Sequence, residues 1–129
     1  MRTIQGPSLH LAQFSADQPP FNDLPSIAAW AASQGFKALQ IPAWDERLFD
    51  VEQAAHSQQY CDDMIAMLAG HGLVISELTT HIFGQLVAVH PAYDALCDNF
   101  APAHLQGDAA ARSAWAVHQL TCAAIASRR

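Results

Sequence analysis

Glu77, Thr79 and His81 fall at alternate positions of the stretch Leu73-Val74-Ile75-Ser76-Glu77-Leu78-Thr79-Thr80-His81. In a regular strand, alternation puts all three on one side. A carboxylate, a hydroxyl and an imidazole gathered there could accept, donate and orient the hydroxyls of a small polar ligand. The stretch opens as a near-continuous apolar run, which suits a strand buried on both faces of a parallel sheet. It turns polar at Thr79, and the carboxyl ends of such strands are where ligands bind in sheets with helical crossovers. The rival reading of Glu77 is a paired carboxylate buried within the sheet's own packing. Trp44 and Asp45 leave the carboxyl end of an earlier predicted strand and are candidates for a pocket wall. The rival there is an apolar cluster of Trp44, Leu48 and Phe49 under the loop.

Other spacings carry less. His81 and His90 are separated by a loop, with no carboxylate fixed beside either, so they do not spell a metal site. Asp62 and Asp63 are adjacent on a predicted helix and point about 100° apart, a poor acid/base pair. Cys61, Cys97 and Cys122 are odd in number and lack a CxxC spacing, which argues against a disulfide framework or zinc knuckle and suits reduced thiols in a cytoplasmic protein.

These side chains need elements to hold them. Strands are expected at about 8–14, 38–42 and 73–80, and helices at about 23–34, 57–69 and 108–127. Asn22 or Asp23, Ser57 and Asp108 supply N-caps, with Asp50 capping a short turn through Glu52 and Ala54. Gly35 and Gly70-His71-Gly72 supply stops. Leu24, Ile27, Ala28 and Ala31 make a core face, as do Tyr60, Met64, Met67 and Leu68. In the last helix the expected stripe is Ala111, Trp115, His118, Cys122 and Ile125, with His118 at its edge. Gln13 stands near the first strand's carboxyl end, on the face opposite His10. From His81 to about Asp108 almost no regular pattern remains, and a loop that long in a compact domain is usually functional or disordered. Strand–helix repeated three times implies parallel strands, in a small open sheet whose two edges are unpaired.

The chain has 129 residues, half of them apolar and 14% charged, which suits one globular domain spanning 1–129. A formal net charge of −6 with no Lys/Arg cluster argues against nucleic acid. The amino-terminal residues have no apolar stretch of signal-peptide length, and no run is long enough to span a bilayer.

Several blocks resemble one family: Gly6-Pro7, Ala12-Gln13-Phe14, Gln40-Ile41-Pro42 with Trp44-Asp45, Leu48-Phe49-Asp50, Tyr60-Cys61-Asp62, Ser76-Glu77-Leu78 with Thr80-His81, Gly84 through Asp94, and Phe100-Ala101-Pro102. Together they resemble the sugar phosphate isomerase/epimerase family with its xylose-isomerase-like TIM barrel. The similarity covers essentially the whole chain and is most specific at the third strand and its loop. It implies an α/β fold that is a partial TIM barrel, three β-α units with parallel strands, from an eight-stranded barrel roughly twice this length or more. By that resemblance His81 faces the substrate, and Gln85, His90 and Trp44 lie around the mouth. Ile82-Phe83 is more apolar than the resemblance implies.

The full family barrel holds a divalent metal (Mn, Mg or Zn class) through Glu, Asp, His and Glu side chains on later strands. No ligand is carried onto this chain, and no catalytic residue is assigned. The implied chemistry is metal-assisted proton transfer beside a sugar carbonyl, with a small sugar or sugar-phosphate-like substrate, and the expectation is a chain inactive alone. Two alternatives stand beside it. One is a stand-alone α/β module that pairs with itself or another chain through an open sheet edge. The other is an independent small-ligand binder using the Trp44 and His81 end of the sheet.

Overall fold

The computed structural model describes residues 6–129, so the expectation for the amino-terminal leader falls partly outside them, at residues 1–5. Three strands, β1 (Ser8–His10), β2 (Ala38–Pro42) and β3 (Val74–Thr79), form one parallel sheet in the order β1-β2-β3. The helices are α1 (Leu24–Ser33), α2 (Val51–His56), α3 (Gln58–Gly70), α4 (His81–Gln85), α5 (Asp94–Cys97) and α6 (Ala109–Ala126). The fold is therefore mixed α/β on a parallel sheet. No helix among the described residues is long and apolar enough to cross a membrane.

Capping explains where four of the helices begin. Asp23 accepts from the Ser26 backbone N–H at 2.8 Å, Asp50 from Gln53 at 2.8 Å, Ser57 from Tyr60 at 3.1 Å and Asp108 from Ala111 at 2.9 Å. Each cap satisfies an N–H that the first helical turn leaves without a partner. The stop after α1 has the same economy. Gly35 sits at φ +89°, and Phe36 and Gly35 donate back to the carbonyls of Ala31 and Ala32, a reversal that favours glycine because a Cβ is strained there.

Strand register decides which side chains meet. Leu9 pairs with Leu39, and Leu39 with Ile75. Leu9, Leu39 and Ile41 join Leu24, Ile27, Ala28, Ala31, Met64 and Leu68 in the main core. The other face carries polar groups: His10 pairs with Gln40, and Gln40 with Glu77. The β2–β3 register skips at Ser76, which makes a bulge. The Ser76 hydroxyl bonds to the Leu39 carbonyl at 3.0 Å and to the Ser8 hydroxyl at 2.6 Å.

The structure corrects four expectations. The first strand ends at His10, not Phe14, and Leu11–Gln13 is a 3-10 turn. Leu11 and Phe14 are three apart, a spacing that suits one side of a turn, and Phe14 and Ser15 both donate to the Leu11 carbonyl. The third strand is not buried on both faces, because β3 lies at the sheet edge with Val74 41% exposed. The segment after it is not patternless: α4, α5 and three 3-10 turns fill it. Finally, the buried stripe of α6 is Arg112, Ala116, Gln119, Cys122, Ala123 and Ala126, whereas Ile125 is exposed. Arg112 and Gln119 go inward because partners wait there. The Arg112 guanidinium bonds to the Asp94 and Asp98 carboxylates, and Gln119 donates to Glu52 at 2.7 Å. His118 does lie at the edge of that stripe, exposed.

Candidate functional site

Trp44 and His81 are brought together. Trp44 follows β2 and His81 opens α4 directly after β3, and their rings meet edge to face with centroids 4.4 Å apart at 71°. Such a contact fixes both ring planes. His81 does not share a strand with Glu77, as the alternation assumed, because the chain turns into α4 at that residue. Glu77 and Thr79 do lie opposite alternate residues of β2, Gln40 and Pro42. Gln40 donates to the Glu77 carboxylate at 2.6 Å, so this carboxylate is paired across strands while remaining exposed. The Thr79 hydroxyl and the His10 Nδ1 are buried without a hydrogen-bond partner among the described residues.

The other two candidates are placed elsewhere. Gln85 is exposed at the end of α4. His90 serves the backbone: its Nδ1 accepts from the Ala92 N–H at 3.2 Å, capping the turn Pro91–Tyr93. Gln13 is exposed in the 3-10 turn after β1.

Beside Trp44 a cleft of about 960 Å³ opens. One wall comes from the β2 exit and α2, with Ala43, Glu46, Phe49, Asp50, Glu52 and Gln53. The other comes from α4, the long segment and α6, including Phe83, Asn99, Phe100, His104, Trp115 and Gln119. Phe83 is buried and meets Trp115 edge to face at 5.4 Å and 87°. Phe83 thus anchors α4 onto α6, while Ile82 lines the cleft. Trp44 packs against the core that holds Leu48 and Phe49 and also lines the cleft, whereas Asp45 is not part of its lining.

Sequence reasoning missed the second wall. Phe100, Asn99 and His104 sit in short turns with no periodicity, and Trp115 and Gln119 reach the cleft only because α6 packs across α2. One usable signal was present: Asp94 and Asp98, four apart on a helical spacing, invite an arginine partner.

Several charges around the cleft are already bound. Arg47 grips Asp45 with two bonds of 2.9 Å and Asp17 with one of 2.6 Å, tying the loop after β1 to the loop after β2. Burial pushes the Asp45 carboxyl up, but the bonds from Arg47 and Ser15 together outweigh it and hold it below the ordinary carboxylate range. Burial pushes the Cys61 and Cys122 thiols up, which makes them poor nucleophiles. Cys122 lies 3.6 Å from His118 Nε2, and that same nitrogen is 3.4 Å from Glu52, so the three do not form a relay through the ring. Among the described residues, no three His, Cys, Asp or Glu side chains gather so as to hold a metal ion.

No protein-family model matches the chain, and no curated protein matches it.

Proposed function

We propose that this chain is the opening three β-α units of a xylose-isomerase-like barrel, and that its carboxyl-end cleft contributes the first part of a small-sugar site. The observation that carries this reading is the sheet. Its strands are parallel and in sequence order, the helices pack on the Leu9, Leu39 and Ile41 face, and Ser8, Gln40 and Glu77 occupy the opposite face. A doubly wound sheet needs helices over both faces, whereas a barrel curls one face inward. Trp44 and His81 then stand at the carboxyl end, where barrel enzymes bind substrate. The Trp44 ring offers an apolar surface to sugar C–H groups, and His81 braces that ring from outside the cleft lining.

In the full barrel the resemblance implies proton transfer beside a sugar carbonyl. This chain supplies binding and orientation only, so it is inactive alone. The test is titration of the chain with small aldoses and ketoses, read by tryptophan fluorescence and by deuterium incorporation beside the carbonyl. Binding without exchange is expected. Rapid exchange catalysed by this chain overturns the division of labour, and absence of any sugar binding overturns the site.

A second reading has its own observation. β3 is an edge strand, and Val74 and Ile65 are 41% and 49% exposed beside it, along an apolar groove of about 1100 Å³. An uncovered edge of this kind pairs readily with another chain. Light scattering decides: a dimer that a Val74→Lys substitution dissociates favours this module reading.

A further inference from the structure

The cleft's charge inventory says which sugars it takes. Among the described residues its polar lining includes the carboxylates of Glu46, Asp50 and Glu52 and no lysine or arginine. Arg47, next in sequence to Glu46, is spent on Asp45 and Asp17. Arg112 is buried and spent on Asp94 and Asp98, and Arg129 reaches the Ala55 carbonyl and Gln58. Lys37 precedes β2 at its amino end and lines the groove beside β3 instead. His104 is the one imidazole in the lining.

Resting on the sugar-binding reading above, we propose that this cleft selects an uncharged, unphosphorylated sugar and turns away its phosphate ester. Phosphate recognition uses arginine forks, lysine ammonium groups or helix amino termini. Here a dianion would instead meet fixed negative charge in a partly enclosed space, where repulsion is stronger than in bulk water. A neutral sugar meets what it needs: aromatic faces from Trp44 and Trp115 for its C–H groups, carboxylate oxygens for its hydroxyl protons, and Gln53 and Asn99 amides that donate to its oxygens. The free oxygens of Glu46 make this sharp, because its side chain forms no hydrogen bond or ion pair among the described residues, whereas Asp50 caps α2 and Glu52 holds Gln119.

The experiment is a paired titration at pH 8, with D-ribose and D-glucose against their 5- and 6-phosphate esters, read by tryptophan fluorescence and calorimetry. The expected result is binding of the neutral sugars at least about tenfold tighter than the esters. Glu46→Lys, a substitution at an exposed residue, should raise ester affinity about tenfold or more and weaken neutral-sugar binding, since it removes the free carboxylate oxygens. Esters binding the native chain as tightly as the free sugars overturn this selectivity but leave the sugar site standing. Failure of every sugar and ester to bind overturns both. Tetramethylammonium binding tighter than any sugar also overturns the proposal, since it makes the cleft a cation cage.

Discussion

Replacing Phe83 by alanine tests whether α4 is held in place by its aromatic anchor. Phe83 is 2% exposed and meets Trp115 at a centroid distance of 5.4 Å. Truncating a buried phenylalanine costs about 3–5 kcal/mol, combining lost transfer energy with the cavity left behind. Of this, about 0.5–1.5 kcal/mol belongs to the ring pair itself. At about 2.1 cal/mol/K per residue, this 129-residue chain unfolds with an entropy near 0.27 kcal/mol/K. The predicted drop in Tm is therefore about 11–18 °C. Phe83→Leu keeps most of the volume and should cost about 1 kcal/mol, close to 4 °C. Thermal unfolding by circular dichroism gives the totals, and a cycle of Phe83→Leu with Trp115→Leu isolates the pair. A Phe83→Ala melt within about 4 °C of native, or a cycle with no coupling, refutes the anchor.

The pH dependence of the loop clasp has a definite sign. The folded pKa of Asp45 is depressed, so its contribution is full above the unfolded carboxylate value and disappears as pH falls through the lower folded one. Melts of native chain and Asp45→Asn should thus differ at pH 7 and converge as pH falls below about 4. Arg47→Ala should cost only about 1 kcal/mol, since its side chain is 42% exposed, as a denaturant midpoint would report. Thiol labelling at pH 8 should show Cys97 reacting first and Cys61 and Cys122 slowly, because the latter two are buried; three equal rates would contradict the packing of α3 and α6. Asp108→Ala should lower stability by about 1 kcal/mol through loss of the α6 cap, measurable by urea unfolding.

Local chemistry was the part of the fold written most plainly in the residues. Caps at Asp23, Asp50, Ser57 and Asp108 and the stops at Gly35 and Gly72 depend on neighbours within a few positions, and all act where expected. β2 and β3 also stand where their apolar runs place them. Long-range partnerships were not legible. Nothing near Arg112 or Gln119 in sequence marks them as inward-facing, because Asp94, Asp98 and Glu52 come to them through the fold. For the site, Trp44 and His81 were expected at one end of the sheet, whereas the strand was not expected to stop before His81, at a helix start that has no side-chain cap to announce it.

The skipped residue in β3 sets the phase of everything after it. With Ser76 looped out, Glu77 stands opposite Gln40 and Leu78 opposite Ile41; in an unbroken ladder Glu77 would slide onto the greasy side against the helices. Loss of the Ser76 codon should therefore be tolerated, since the remaining residues keep their mates, whereas loss of Leu78 should throw Thr79 onto the wrong side. Circular dichroism of the two deletion variants separates them: a folded chain lacking Leu78 would show that the strand does not keep count in this way.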